Sequence, residues 1–194
     1  MDYSDVEVLN EYEDDVYASL EKVAERWEKR KLESVTEIKR KSEVAIEGKY
    51  KLLSELNENL LSEKMFLSYV KKRNFNINEL SEWGVTAYVS GKFQGRLVFP
   101  IYQNSKIVNY TGRDVTGNAE AKYLNCSNDE AIVPMKELLF GSEYVKTDKD
   151  YLILVEGPMD VIRVGKGLAV GSMGLILTEI QKETLYQLKP KRLL

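Results

Sequence analysis

Glu156 and Asp160 have the types and spacing best suited to chemistry in this chain of 194 residues. They close the segment Tyr151-Leu152-Ile153-Leu154-Val155-Glu156-Gly157-Pro158-Met159-Asp160. Its apolar run is too short for a buried helix and suits a buried strand, and ligands of open α/β sheets gather beyond the carboxyl ends of such strands. Two hard carboxylates suit Mg²⁺, which takes one or two of them and completes its octahedron with water and phosphate oxygens. Gly157, lacking a Cβ, lets a phosphate or backbone come close. The same pentad also occurs as a plain strand-to-helix turn in which Asp160 serves the helix N-terminus.

Composition narrows the chemistry. Histidine is absent and Cys126 is the single cysteine, so this chain holds no Cys/His zinc site and no internal disulfide. Catalysis would have to rest on carboxylates, Lys, Tyr, Ser or a metal. No run of about 18 apolar residues implies a membrane span, and the acidic start has no signal-peptide pattern. A cytoplasmic protein with no membrane partner is expected. Residues 1–60 carry 16 acidic and 10 basic residues, leaving 15 and 18 for the rest. That mildly basic remainder is compatible with a nucleic-acid partner.

The elements that must position these residues follow from periodicity. Residues 14–59 read as helix: Val16, Leu20, Val23 and Trp27 form one stripe, resumed by Val35 and Ile38 and then by Leu53, Leu56 and Leu60. This segment is expected to be a docking arm, a two-helix layer or a linker. Two short helices should follow, one from Ser62 to the Lys71-Lys72-Arg73-Asn74 cluster and one from Asn76 to Trp83-Gly84. Strand patterns at 85–89, 96–101, 107–110 and 122–124 are separated by turn residues. A short helix is expected at 131–140. The remainder reads β-α-β-α, with strands at 151–155 and 168–170, helices at 159–164 and 178–188, and a third strand starting near Arg192.

Several segments in this order resemble bacterial- and phage-type DNA primases. Residues 154–162 with Ala169-Val170-Gly171-Ser172-Met173-Gly174 resemble the first half of a Toprim domain, shared by primases, topoisomerases and certain nucleases. Gly95-Arg96-Leu97-Val98-Phe99-Pro100-Ile101, Asn109-Tyr110-Thr111-Gly112-Arg113, Lys122-Tyr123-Leu124-Asn125 and Met135-Lys136-Glu137-Leu138-Leu139-Phe140-Gly141 resemble successive primase elements. Phe66-Leu67-Ser68-Tyr69-Val70-Lys71-Lys72-Arg73-Asn74-Phe75 resembles the helix that opens primase cores. The resemblance covers about 65–194 and sets aside a Toprim nuclease or topoisomerase, which would leave the upstream elements unexplained.

The implied fold is mixed α+β and α/β: a charged helical arm (1–61), a primase α+β subdomain (62–146) and an incomplete, Rossmann-like parallel β-α-β-α Toprim domain (147–194). The implied activity is template-directed synthesis of short RNA primers by nucleotidyl transfer. In it Glu156 is catalytic, Glu156 and Asp160 hold Mg²⁺ or Mn²⁺, and Arg96, Arg113 and Lys122 hold template or nucleotide. The implied partners are single-stranded DNA, NTPs and a replicative helicase, in a bacterial or phage-infected cell. A separate chain could supply the missing zinc ribbon or the rest of Toprim, whose Asp-x-Asp pair lies beyond Leu194. A fragment or split-gene piece, binding Mg²⁺ weakly and making no primers alone, is therefore expected. The competing expectation is a non-catalytic nucleic-acid-binding or replisome-assembly subunit.

Overall fold

The computed structural model describes residues 44–194, all within one unit that spans Glu43–Leu194. The expected arm over residues 1–43 lies outside the described residues. Its continuation does not form helix: Tyr50–Leu52 is a strand, β1, and Leu53–Glu55 a 3₁₀ turn. The apolar spacing that suggested a helical stripe is met differently. Leu53 points into the core, whereas Leu52 and Leu60 are exposed.

β1 is the outer strand of an antiparallel meander with β2 (Thr86–Tyr88), β3 (Arg96–Gln103), β4 (Lys106–Asp114) and β5 (Tyr123–Asn125), in that spatial order. β3 is central, and side chains alternate across it. Leu97, Phe99 and Ile101 enter one cluster with Phe66, Val70, Leu80 and Trp83. Val98 faces a second cluster with Tyr88, Phe93 and Tyr110. β2 pairs only as far as Val98, so Pro100 sits where β3 is an edge and a missing N–H is tolerated.

Helix α1 (Leu61–Lys72) buries Phe66 and Val70, one turn apart, against that sheet. The chain leaves α1 through Asn74 at φ 54°, and the Phe75 amide returns to Val70 O at 3.1 Å. Helix α2 (Ile77–Glu82) starts at Asn76, whose side chain accepts the Asn78 amide, and ends at Trp83, as the Asn-to-Trp-Gly signals predict.

The last third is a parallel pair. β6 (Ile153–Val155) runs beside β7 (Ala169–Gly171), joined by helix α3 (Pro158–Val164) and followed by helix α4 (Glu179–Leu188). Leu193 makes a parallel bridge to Leu152, where the third strand is expected. The predicted helix over 131–140 is not formed; a 3₁₀ turn at Met135–Glu137 is all that is helical there. Phe140 instead pairs with Gly171, exchanging amide-to-carbonyl bonds of 2.9 Å each way. Among the described residues no helix is long and apolar enough to cross a membrane.

One ion pair ties β1 to α1. Lys51 Nζ meets Glu63 Oε1 at 2.6 Å, and Glu63 Oε2 accepts the Asn57 amide at 2.8 Å. The Lys51 hydrogen bond, then the Asn57 amide, hold the Glu63 carboxyl below its usual range despite partial burial. The unfolded chain therefore takes up this proton first as pH falls. The stability Glu63 contributes is present above the ordinary carboxylate range and is lost as pH drops through its lowered folded value. Denaturant unfolding at about pH 7 and about pH 3 should show wild type losing its margin over Glu63→Gln on acidification. An equal margin at both pH values refutes the tie.

Candidate nucleic-acid interface and carboxylate site

Glu156 lies at the carboxyl end of β6 and is exposed. The loop after β7 holds its backbone: Met173 N donates to Glu156 O and Ser172 N to Val155 O, both at 2.9 Å. That loop is fixed from behind by buried Gln181, whose Nε2 donates to Ser172 O at 2.7 Å and Leu138 O at 2.8 Å. Gln181 is placed by a capping box with Thr178 at the start of α4. Gly157 and Pro158 open α3, and Asp160 occupies its first turn, where the helix dipole favours a carboxylate.

Neither the Glu156 nor the Asp160 side chain has a hydrogen bond or ion pair among the described residues. Two free hard-oxygen donors fit a divalent cation that completes its shell with water and phosphate. No cluster of three or more His, Cys, Asp or Glu side chains suited to a metal exists among the described residues. Among the described residues, Glu156 and Asp160 are the carboxylates such a site would use.

The basic residues converge elsewhere. A groove of about 820 Å³ runs between α1 and the β4–β5 connection. Met65, Ser68, Tyr69, Lys72 and Arg73 line one wall; Arg113, Asp114, Thr116, Glu120 and Lys122 line the other. Arg113 and Lys122, both singled out from sequence, therefore meet in one groove. Lys72 and Arg73 join them, a contribution that sequence reasoning missed although their basic cluster was plain. The signal was available: Ser68 and Lys72 are four apart, on the opposite side of α1 from buried Phe66 and Val70.

Arg113 lies between two aromatic rings, its guanidinium carbon 4.9 Å from the Tyr123 centroid and 6.0 Å from that of Tyr69. Among the described residues its Nε is the one buried side-chain nitrogen or oxygen without a hydrogen-bond partner. Tyr123 connects the groove to the carboxylates. Its hydroxyl and Asp160 Oδ2 lie 3.8 and 3.7 Å from the point where a Gly157 Cβ would stand. Burial pushes the Tyr123 phenol up; Arg113 opposes this and the Asp160 charge adds to it. Tyr123, read from sequence as packing, thus stands at the junction.

Arg96 differs from Arg113. It is 8% exposed, and its guanidinium donates to Gly112 O at 3.1 Å, Ala121 O at 3.1 Å and Lys122 O at 3.4 Å. It holds the backbone that presents Lys122. Asp114 closes the connecting loop by accepting the Thr116 hydroxyl at 2.8 Å and the Gly117 amide at 2.8 Å. Burial alone would raise the Asp114 carboxyl, but these bonds outweigh it and the net shift is downward.

An antiparallel meander capped by two helices and followed by a parallel β-α-β-α unit is an architecture that solved primase catalytic cores share. Residues 60–146 match the family described as DNA primase catalytic core, N-terminal domain. The DNA primase of Clostridium acetobutylicum is 30% identical over 132 residues, 63% of this chain and 22% of its own length. Two solved structures share the fold. The Aquifex aeolicus primase, comprising zinc-binding and RNA polymerase domains, superposes with a TM-score of 0.57 at 23% identity, over 71% of this chain and 44% of that one. The RNA polymerase domain of Mycobacterium tuberculosis primase, bound to double-stranded DNA with a 6-nucleotide overhang, gives 0.59 at 20% identity, over 68% and 54%. The chain spans about a fifth of the length of the curated relatives it matches.

Arg96→Ala should lower folding stability by about 2–3 kcal/mol, because buried carbonyls lose their donors. Arg96→Lys should recover less than half, since an ammonium lacks the guanidinium fork. Denaturation midpoints check both; a neutral Arg96→Ala would remove its role as a prop.

Proposed function

We propose that residues 62–146 hold a single-stranded DNA template in the basic groove and that residues 147–194 present carboxylates to the reacting phosphates. In this reading they form part of a primase core that makes short RNA primers from NTPs by Mg²⁺-dependent nucleotidyl transfer. The observation that carries the reading is the meeting of Lys72, Arg73, Arg113 and Lys122 in one groove, with Tyr123 between that groove and Asp160.

Arg113 and Lys122 suit phosphate contact because both supply fixed positive charge, Arg113 in a planar fork. The buried Arg113 Nε and its aromatic neighbours leave the guanidinium little freedom to lose on binding. Arg96 acts through Lys122 rather than on the ligand. Tyr69 and Tyr123, half-buried beside Arg113, would offer their remaining aromatic surface for stacking bases. Glu156 and Asp160 would hold Mg²⁺ or Mn²⁺, which supplies charge neutralisation and Lewis-acid polarisation of phosphoryl oxygens. The family resemblance adds NTPs and a replicative helicase as partners, with a further chain or segment for the zinc ribbon and the Asp-x-Asp acids.

A second reading, a nucleic-acid-binding or assembly subunit without chemistry, draws on the two-carboxylate limit among the described residues. Mn²⁺ titration separates the two. Binding lost in Glu156→Gln and Asp160→Asn supports the enzyme-type site, and no binding by wild type supports the subunit.

The groove is tested by fluorescence anisotropy with a short labelled single strand. Arg113→Ala and Lys122→Ala should each weaken binding about tenfold at low salt and flatten the log–log salt dependence by about 0.7. Lys182→Ala, on the far side of α4, should do neither. Unchanged affinity in both groove variants would exclude this path for the template.

A further inference from the structure

Helix α3 starts two residues after Glu156 and carries Asp160 in its first turn, and two cations, Arg163 on the helix and Lys166 just past its end, reach back to the meander's helices. Arg163 Nη2 donates to Arg73 O at 2.6 Å, with its guanidinium carbon 4.3 Å above the Phe75 ring. Lys166 Nζ donates to Glu82 O at 2.7 Å and lies 4.1 Å from the Tyr144 centroid and 5.4 Å from that of Trp83. Arg73 and Glu82 stand at the C-terminal ends of α1 and α2. There unpaired carbonyls and the negative end of the helix dipole favour a cation.

The two ties have different weight. Arg73 is a wall residue of the groove, so the Arg163 bond joins the groove directly to the helix bearing Asp160. Arg163 lies three residues after Asp160, within one turn, and a shift of one end of so short a helix moves the other. Both side chains are exposed enough to satisfy themselves with water, yet both turn inward onto carbonyls about 90 residues away in sequence. Phe75 beneath the guanidinium is buried, which leaves the Arg163 geometry little alternative.

We propose that Arg163 is a positioning residue that sets the distance between the basic groove and the Glu156–Asp160 carboxylates, with Lys166 as a second, more remote tie. This rests on the groove reading above. Its consequence is linkage: a strand held in the groove and a divalent ion held by the carboxylates strengthen each other only while α1 and α3 keep their spacing.

Two readouts test it on the full chain. In the first, spin labels at Lys71→Cys on α1 and Gln187→Cys on α4, with native Cys126 buried, report the distance between the two parts by pulsed electron resonance. Wild type should give a narrow distribution, Arg163→Ala a broadened one with unchanged circular dichroism, and Arg163→Lys a largely restored one, because an ammonium can still donate to the Arg73 carbonyl. In the second, single-strand affinity is measured with and without Mn²⁺. Arg163→Ala should keep its metal-free affinity within about twofold and lose a Mn²⁺-linked gain of about fivefold or more seen in wild type. A distribution unchanged in Arg163→Ala, a retained Mn²⁺ gain in that variant, or no gain in wild type each overturns the proposal. If wild type binds no strand at all, the groove reading falls, while the label distances still decide whether Arg163 sets the spacing.

Discussion

The structure depends on one continuous apolar core that crosses from the antiparallel meander to the parallel pair. Trp83, at the end of α2, stacks on Phe140 with ring centroids 5.3 Å apart and meets Tyr144 edge-on at 5.0 Å. Phe140 is bonded through its backbone to Gly171 at the end of β7. Val161 and Ile162 from α3 and Ala169 from β7 belong to the same cluster as Leu97, Phe99 and Ile101 of β3. A groove on one sheet and carboxylates on the other can serve a single ligand only if this interior is shared. Close packing makes such a joint stiff at its centre, because interiors have few voids into which elements can slide, and leaves the outer end of α3 to its surface tie through Arg163.

Charge is arranged around that joint by burial rather than by number. Three basic residues of similar sequence context have three different environments. Arg96 is enclosed and bound to carbonyls, Arg113 lies between tyrosines at the groove wall, and Lys122 is exposed on a backbone that Arg96 supports. The acids divide similarly: Asp114 is spent on its own loop, Glu63 on Lys51, and Glu156 and Asp160 have no hydrogen bond or ion pair among the described residues. A carboxylate kept free of bonds is a poor contributor to folding and a suitable one for a cation.

Much of this was legible in the residues, and for physical reasons. β3 announces itself because a strand in a two-sided core is a nearly continuous apolar run, and α2 because Asn76 and Trp83-Gly84 mark both its ends. The place of Glu156 at a strand end was legible because the apolar run before it is too short for a buried helix, although β6 proves half-buried rather than enclosed. β1 was not: the spacing of Leu53, Leu56 and Leu60 satisfies a helical period, and only pairing with β2, more than thirty residues later, makes Tyr50–Leu52 extended. The stretch before Phe140 misled in the same way, since its apolar density suits a helix until Gly171 offers it a bridge. Arg96 opens β3 and Arg113 lies near the end of β4, each directly after a glycine, and nothing local to either says which will be enclosed. That depends on the turn of chain 121–122 lying over Arg96.

The loop closed by Asp114 has a further consequence. Its tip is held by bonds to residues two and three positions on, while its base is tied to the sheet by Val115 N, which donates to Gly95 O at 3.1 Å, and by Arg96. It forms one lip of the groove. Residues could be added or removed at its exposed tip, 116–118, without disturbing strand register or core, much as the jaw of an adjustable spanner travels on a fixed handle. The width offered to a ligand is thus a property that mutation can vary separately from the stability of the protein.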